Sequence, residues 1–193
     1  EPLNLKQFVR ELETPVIVGG CASYPAALHL MRTGAAGVLV GVDGGRAATT
    51  HSVTGVGSPM ATAIADVRAA RMRHLDETGV YVHVIADGGL RSGGDIAKAV
   101  ACGADAVVLG SALAAADGAP GGRWHWGRTA VHADLPQGRL VELDPVGSLT
   151  EVLTALEGAL VAIRREQHIP EDARREAIRE LKAEIAELRR EMS

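Results

Sequence analysis

Residues 83–95 read His83-Val84-Ile85-Ala86-Asp87-Gly88-Gly89-Leu90-Arg91-Ser92-Gly93-Gly94-Asp95. The apolar, β-branched run predicts a buried strand. It stops at Asp-Gly-Gly. A helix is expected next, with Ser92 as its cap and Ile96, Ala99 and Val100 at helical spacing. Glycines at a strand-to-helix turn leave main-chain N–H groups uncovered beside the positive end of the helix dipole. Such a turn suits a phosphate, and the Asp87 carboxylate next to it suits sugar hydroxyls. A βα turn also tolerates glycine for purely structural reasons, so the segment gains its meaning from its surroundings.

The surroundings repeat it. At an offset of 69 residues, without gaps, Gly19-Gly20 falls on Gly88-Gly89, Gly34-Ala35 on Gly103-Ala104, and Val38-Leu39-Val40-Gly41 on Val107-Val108-Leu109-Gly110. Each copy reads as strand, Gly-Gly, helix, Gly-Ala, strand, Gly. The expected strands are 15–20, 37–41, 81–86 and 106–110. The expected helices are 4–12, capped by Asn4, then 24–34, 59–76 with Pro59 at the first helical position, and 93–102. A glycine-rich loop is expected over 42–58. This rhythm predicts an α/β fold with a parallel sheet, and a repeated (βα)₂ unit is the building block of a TIM-type barrel. Four strands make half a barrel and leave two edges to be paired or covered.

Composition sets bounds on the function. The 193-residue chain is 47% hydrophobic but only 3% aromatic, with 23 glycines and a net charge of −4. The core must be built from Ala, Val, Leu and Ile. Base-stacking platforms are scarce and no basic patch stands out before the C-terminal helix, so no nucleic-acid partner is expected. No apolar run approaches membrane-spanning length and no signal peptide is evident, so no membrane partner is expected. Cys21 and Cys102 show neither CxxC nor metal spacing, which points to a reducing, cytoplasmic setting. The chain opens on Glu1 rather than Met, as a fragment or a processed or engineered chain would.

The second part of the chain changes character. Residues 119–144 hold both tryptophans and a candidate strand at 139–143, and they read as a flap. Beyond them, Leu149, Leu153, Leu156, Leu160 and Ile163 step by four and three, as do Ile178, Leu181, Ile185, Leu188 and Met192. His168-Ile169-Pro170 lies between as a turn. The expected organisation is a half-barrel over 1–147 with the flap at 119–144, and an amphipathic helical hairpin over 148–193. The Glu, Arg and Lys of the last helix form a solvated face.

The run from Asp87-Gly88-Gly89 through Ile96-Ala97-Lys98 to Gly110-Ser111 closely resembles the nucleotide-phosphate segment of the IMP dehydrogenase/GMP reductase family. Thr49-Thr50-His51-Ser52-Val53-Thr54-Gly55-Val56-Gly57 resembles its catalytic loop. Residues 1–147 resemble its C-terminal half-barrel, strands five to eight. The wording EPLNLKQF, ALHLMRTGAAGVLVG, PMATAIADV and GGRWHWG is most similar to the short branch without CBS domains. The hairpin does not resemble the family. The resemblance implies a purine nucleotide, IMP or GMP, as ligand, and NAD(P) as the cofactor of the family's oxidoreductase reaction. It implies that Asp87 binds the ribose hydroxyls. It also implies that Gly89, with Gly88 in the same turn, and Gly110 and Ser111 bind the phosphate.

The catalytic loop departs from the family pattern. The cysteine nucleophile expected before Thr49-Thr50 is replaced by Ala48, whose methyl group forms no covalent intermediate. The chain is therefore expected to be inactive as an IMP dehydrogenase or GMP reductase, although Thr50 matches the threonine that helps activate water. No Arg-Tyr pair of the family's flap is found. The family's potassium ion would rest on carbonyls of Asp43, Gly45 and Ala48, and Asp43 standing for glycine argues against it. Arg46 replaces a phosphate-contacting serine and offers a charged contact instead. His51, His83, His125 and His132 lack metal-site spacing. Trp124 and Trp126 suit either a purine cover or anchors for the flap. The alternative to a nucleotide-binding half-barrel is a structural or engineered scaffold. Its half-barrel would dimerise, pair with a complementary half-barrel chain, or be capped by its own C-terminal helices.

Overall fold

A computed structural model of the chain describes residues 3–42, 44–120, 122–126 and 140–144, with the isolated positions 148, 150, 154 and 179. Four strands, β1 (Ile17–Cys21), β2 (Gly37–Val40), β3 (His83–Asp87) and β4 (Ala106–Val108), form one parallel sheet in sequence order. The helices are α1 (Leu5–Glu11), α2 (Tyr24–Met31), α3 (Thr50–Thr54), α4 (Met60–Thr78), α5 (Gly93–Cys102) and α6 (Ser111–Ala114). Two short strands, β5 (Trp124–Trp126) and β6 (Leu140–Glu142), pair antiparallel. The expected α/β half-barrel is therefore present as a four-stranded parallel sheet with its crossover helices. The expected hairpin over 148–193 and the middle of the flap lie outside the described residues, isolated positions apart.

Local chemistry explains the boundaries. Asn4 accepts the Gln7 amide at 3.1 Å and opens α1. Ser92 accepts the Asp95 amide at 3.3 Å and opens α5, as expected from the sequence. Gly79 and Gly103, with φ +71° and +114°, end α4 and α5 in the left-handed conformation that glycine adopts without strain. Three expectations need correction. Pro59 is the cap before α4 rather than its first residue, with ψ 125°. The expected loop over 42–58 contains α3, which ends at Gly55. The last strand stops at Val108, and Gly110 turns away to cap α6.

Side chains alternate across the sheet. Val38, Val40, Val84 and Ala86 are fully buried, in one core with Met31, Ile64, Val67 and Ala70 from α2 and α4. The core is aliphatic, as the composition requires, and no aromatic ring belongs to its buried set. The opposite face carries Ile17, Leu39, His83, Ile85 and Val108, none of them buried.

The internal repeat holds in three dimensions with one amendment. Ser23 and Ser92 are equivalent helix caps, Gly34 and Gly103 are equivalent left-handed glycines between helix and strand, although only Gly103 is the cap of its helix, and β2 and β4 keep the offset of 69. The first strand of each copy does not. Ile17, Val18 and Gly19 lie opposite Gly37, Val38 and Leu39, whereas Ile85, Ala86 and Asp87 lie opposite Ala106, Val107 and Val108. By ladder position Gly19 therefore matches Asp87, not Gly88, and the strand offset is 68. The second copy has one more residue in the turn after its strand. A bulge between Gly19 and Cys21 adjusts the first copy.

A buried ionic group ties down the end of the sheet where the strands begin. Arg71 Nη1 on α4 donates to both carboxylate oxygens of Asp105, at 2.8 and 2.7 Å, and to the Tyr81 hydroxyl at 2.7 Å. Tyr81 donates to Asp105 Oδ1 at 2.6 Å, and the Val84 amide to Asp105 Oδ2 at 2.7 Å. The Arg71 guanidinium lies 4.9 Å from the Tyr81 ring centre. Burial and the Asp105 charge both push the Tyr81 hydroxyl pKa up. This cluster joins α4 to the starts of β3 and β4. In a parallel sheet that end serves stability, and ligands take the other.

Candidate functional site

The strand ends opposite that cluster bring the expected phosphate elements together. Asp87 and Val108 are ladder partners, so the turn Gly88-Gly89 and the turn Gly110-Ser111 leave the sheet side by side. Asp87 is exposed at the rim and Ser111 half-buried at the first position of α6. Gly88 and Gly89 have φ of +104° and +76°, a conformation that sterics reserve for glycine.

The glycine-rich loop folds onto this rim. A Cβ built on Gly88 would lie 2.7 Å from Gly44 Cα, and one on Gly41 would meet the Asp87 carbonyl. The loop then makes a turn closed by the Ala48 amide on the Gly45 carbonyl at 3.1 Å. Arg46 on this turn faces Asp144 at 3.8 Å, linking the loop to the flap stem. Ala48 is half-buried and Thr50 exposed at the start of α3. His51 packs its ring on Gly57. Asp43 lies outside the described residues.

The N-terminus of α5 carries a capping box of Ser92 and Asp95. Asp95 turns back over it, accepting from the Arg91 amide at 3.2 Å and from the Ser92 hydroxyl at 3.0 Å. Lys98 pairs with Asp95 at 2.9 Å, and these donors hold the carboxyl down at about 2.

The flap contributes an unexpected residue. In β5 the three side chains alternate, so His125 faces away from Trp124 and Trp126. A Cβ on Gly110 would meet His125 Cε1 at 4.0 Å, which puts the imidazole above the second glycine turn. Both tryptophans are 44% exposed on the other side of the ribbon. Within β5, His125 rather than either indole is brought to the rim. The alternation Trp-His-Trp in a strand was the available signal. Behind it, Leu143 is buried and donates its amide to the Arg123 carbonyl at 3.0 Å.

A cavity of about 180 Å³ lies beneath the rim between α4 and α5, lined by Met60, Ile64, Gly88, Gly89, Leu90 and Cys102 among others. Cys21 does not replace the absent nucleophile. It is buried, its thiol donates to the Leu39 carbonyl at 3.5 Å, and burial pushes its pKa up to about 11. Among the described residues no group of three or more His, Cys, Asp or Glu side chains is placed to hold a metal ion. No helix among them is long and apolar enough to cross a membrane.

Known proteins place this geometry in context. The family model described as "IMP dehydrogenase / GMP reductase domain" matches residues 4–131. An uncharacterized oxidoreductase of Mycobacterium leprae is 54% identical over 160 residues, covering 82% of this chain and 42% of the relative. An inosine-5'-monophosphate dehydrogenase of Methanocaldococcus jannaschii is 47% identical over 121 residues, covering 61% of this chain and 23% of the relative. The crystal structure of an IMP dehydrogenase/GMP reductase-like protein from Corynebacterium glutamicum is similar with a TM-score of 0.68 and 44% identity. It covers 92% of this chain and 46% of that one. The chain thus spans less than half the length of the relatives it matches. On the family match, the shared parallel βα architecture and the identity to these relatives, the chain belongs to the IMP dehydrogenase / GMP reductase domain family.

Proposed function

We propose that this chain binds a purine 5'-nucleotide of the IMP or GMP class at the rim of its half-barrel and, by itself, does not turn it over. The observation that carries this reading is the ladder pair Asp87–Val108, which puts one carboxylate and two glycine turns at neighbouring strand ends. Asp87 accepts hydrogen bonds from the ribose diol. The main-chain amides of Gly89, Gly110 and Ser111 donate to the phosphate, with Gly88 giving the turn its left-handed start. Arg46 adds a charge-assisted contact once it leaves Asp144. His125 stands over Gly110 as a further donor. Each of these contacts is made to parts of the nucleotide that do not react.

The reacting end is incomplete. Ala48 has no nucleophilic atom, so no covalent bond to the purine ring forms at this position. Thr50 then has no covalent intermediate on which to direct a water. The family's nicotinamide cofactor, NAD(P), accepts or gives a hydride when bound, and no hydride step follows from the residues of this chain. Asp43, standing where the family has glycine, argues against the family's potassium ion in this loop. The two free cysteines, Cys21 and Cys102, support a place in the reducing cytoplasm. In this reading 1–147 is the binding unit, and 148–193 is a separate helical hairpin.

Calorimetric titration of the 193-residue chain with IMP and with GMP tests the reading. Binding of either, lost by about tenfold or more in Asp87→Ala, is expected from loss of hydrogen bonds to a charged acceptor. Equal binding by the variant, or none by the parent chain, contradicts it.

A further inference from the structure

We propose that the protonated imidazole of His125 is a charged contact through which the rim selects a phosphate monoester, and that affinity for the ester follows the protonation of this one ring. The proposal rests on the nucleotide reading above and adds to it the charge that the phosphate meets. The atom of His125 that would meet a Cβ on Gly110 is Cε1, at 4.0 Å. Cε1 lies between the two ring nitrogens, so the polar edge of the ring is turned to the glycine turn. A ring flip would put Nε2 in its place, so a nitrogen borders the turn in both orientations. Among the described residues the ring has no hydrogen-bond or ion-pair partner. It is half-buried and held by the pairing of β5 with β6, with Val141 as its ladder partner.

The elements α6 and β6 pack against β5, and neither sets a charge against the ring. The four residues of α6, Ser111 to Ala114, include no titratable side chain. In β6, Glu142 stands opposite Trp124, on the other side of the ribbon, and pairs with Arg123 at 3.4 Å. The rim adds Asp87 at the end of β3, Arg91 after it, and Arg46 on the loop, which faces Asp144 at 3.8 Å. An arginine keeps its charge throughout the working range of pH, and a main-chain amide carries none. Histidine is the side chain whose charge changes between about pH 5 and 8. A phosphate monoester carries about −1.5 to −2 charges near neutrality. An imidazolium gives that ester a hydrogen bond about twice as strong as a neutral donor gives. A nucleoside without the phosphate gains nothing from it.

Calorimetry on the full chain, with IMP as the probe, compares the parent with His125→Gln across pH. Glutamine keeps a hydrogen-bond donor and removes the charge. The phosphate titrates equally in both experiments, so its own protonation cancels in the ratio of the two affinities. That ratio is expected to be about tenfold near pH 5.5 and to fall to about one near pH 8.5. With inosine it is expected to stay at about one throughout, since no phosphate is present. A ratio that does not change with pH, or that changes equally for inosine, overturns the role of His125. If Asp87→Ala still loses affinity for IMP, that result leaves the nucleotide reading standing. No binding of IMP by the parent chain overturns both. A second measurement needs no folded variant. The Cε1–H signal of His125 in proton NMR, assigned by labelling, moves with pH. Saturating IMP is expected to shift its titration midpoint up by about one pH unit, the reciprocal of the tenfold gain. A midpoint that IMP leaves in place contradicts the proposal.

Discussion

Gly44 and Gly88 meet main chain to main chain, with no room between them for a methyl group: a Cβ on either would sit under 3.0 Å from the other's backbone. This contact fixes the glycine-rich loop on the end of β3 and so sets the shape of the rim. Gly88→Ala adds a Cβ at φ +104° as well as the clash. The expected cost is about 1–3 kcal/mol from the backbone conformation alone, seen as a lower urea midpoint, together with loss of nucleotide binding. Full stability in the variant would mean that the loop is not held there.

The Arg71–Asp105 pair predicts a stability effect with no effect on binding. Both side chains are nearly inaccessible, at 1% and 3% exposure. Removing the carboxylate in Asp105→Ala leaves a buried guanidinium without its counter-charge, and a loss of about 3–5 kcal/mol is expected. Chemical denaturation measures it. A change below 1 kcal/mol would show that water reaches the group.

Acid should destabilise the protein in stages. Burial pushes the His74 pKa below its ordinary value, and its Nδ1 has no partner. The unfolded chain takes that proton first, so stability starts to fall as pH drops through about 6.5. Hydrogen bonds from Arg32 and Arg73 hold Glu77 down at about 2, and Lys98 with its neighbours holds Asp95 at about 2. Both carboxylates contribute above their unfolded values near 4, and the contribution is lost as pH falls toward 2. Melting temperature against pH should decline in these two windows, and His74→Phe should flatten the upper one. A flat profile from pH 7 to 3 would contradict the assignment.

Restoring the nucleophile should not restore the reaction. Ala48→Cys puts a thiol in the loop, but the chain spans less than half of its relatives. No NADH formation dependent on IMP is expected from the variant alone. Sustained turnover would refute the reading that these residues bind without reacting.

Much of this was legible in the sequence because it is periodic. The β-branched runs, the Gly-Gly turns and the Ser92 cap each follow from local chemistry, and they lead to a parallel half-barrel. The single-residue difference in strand offset was not legible, since a bulge at Gly19–Cys21 leaves the gapless alignment intact while changing the ladder. Arg71 was hidden among apolar positions: it occupies the face of α4 that also buries Ile64, Val67 and His74. A charge at such a position signals a buried partner, here supplied by a residue 34 positions away. The capping box of Ser92 and Asp95 was legible, as a carboxylate three residues after a serine cap. The Trp-His-Trp alternation gave the side His125 takes, but its place over Gly110 comes from the pairing of β5 with β6, which no local pattern specifies.

The central claim is that two adjacent glycine turns and Asp87 form one nucleotide cradle. Amide chemical-shift mapping of the nitrogen-15-labelled chain during titration with IMP tests it most directly. The account predicts that the amides of Gly89, Gly110 and Ser111 shift together with a single affinity, and that inosine, lacking the phosphate, shifts them far less. Absence of movement at these three amides at saturating IMP, or equal shifts with inosine, would contradict it.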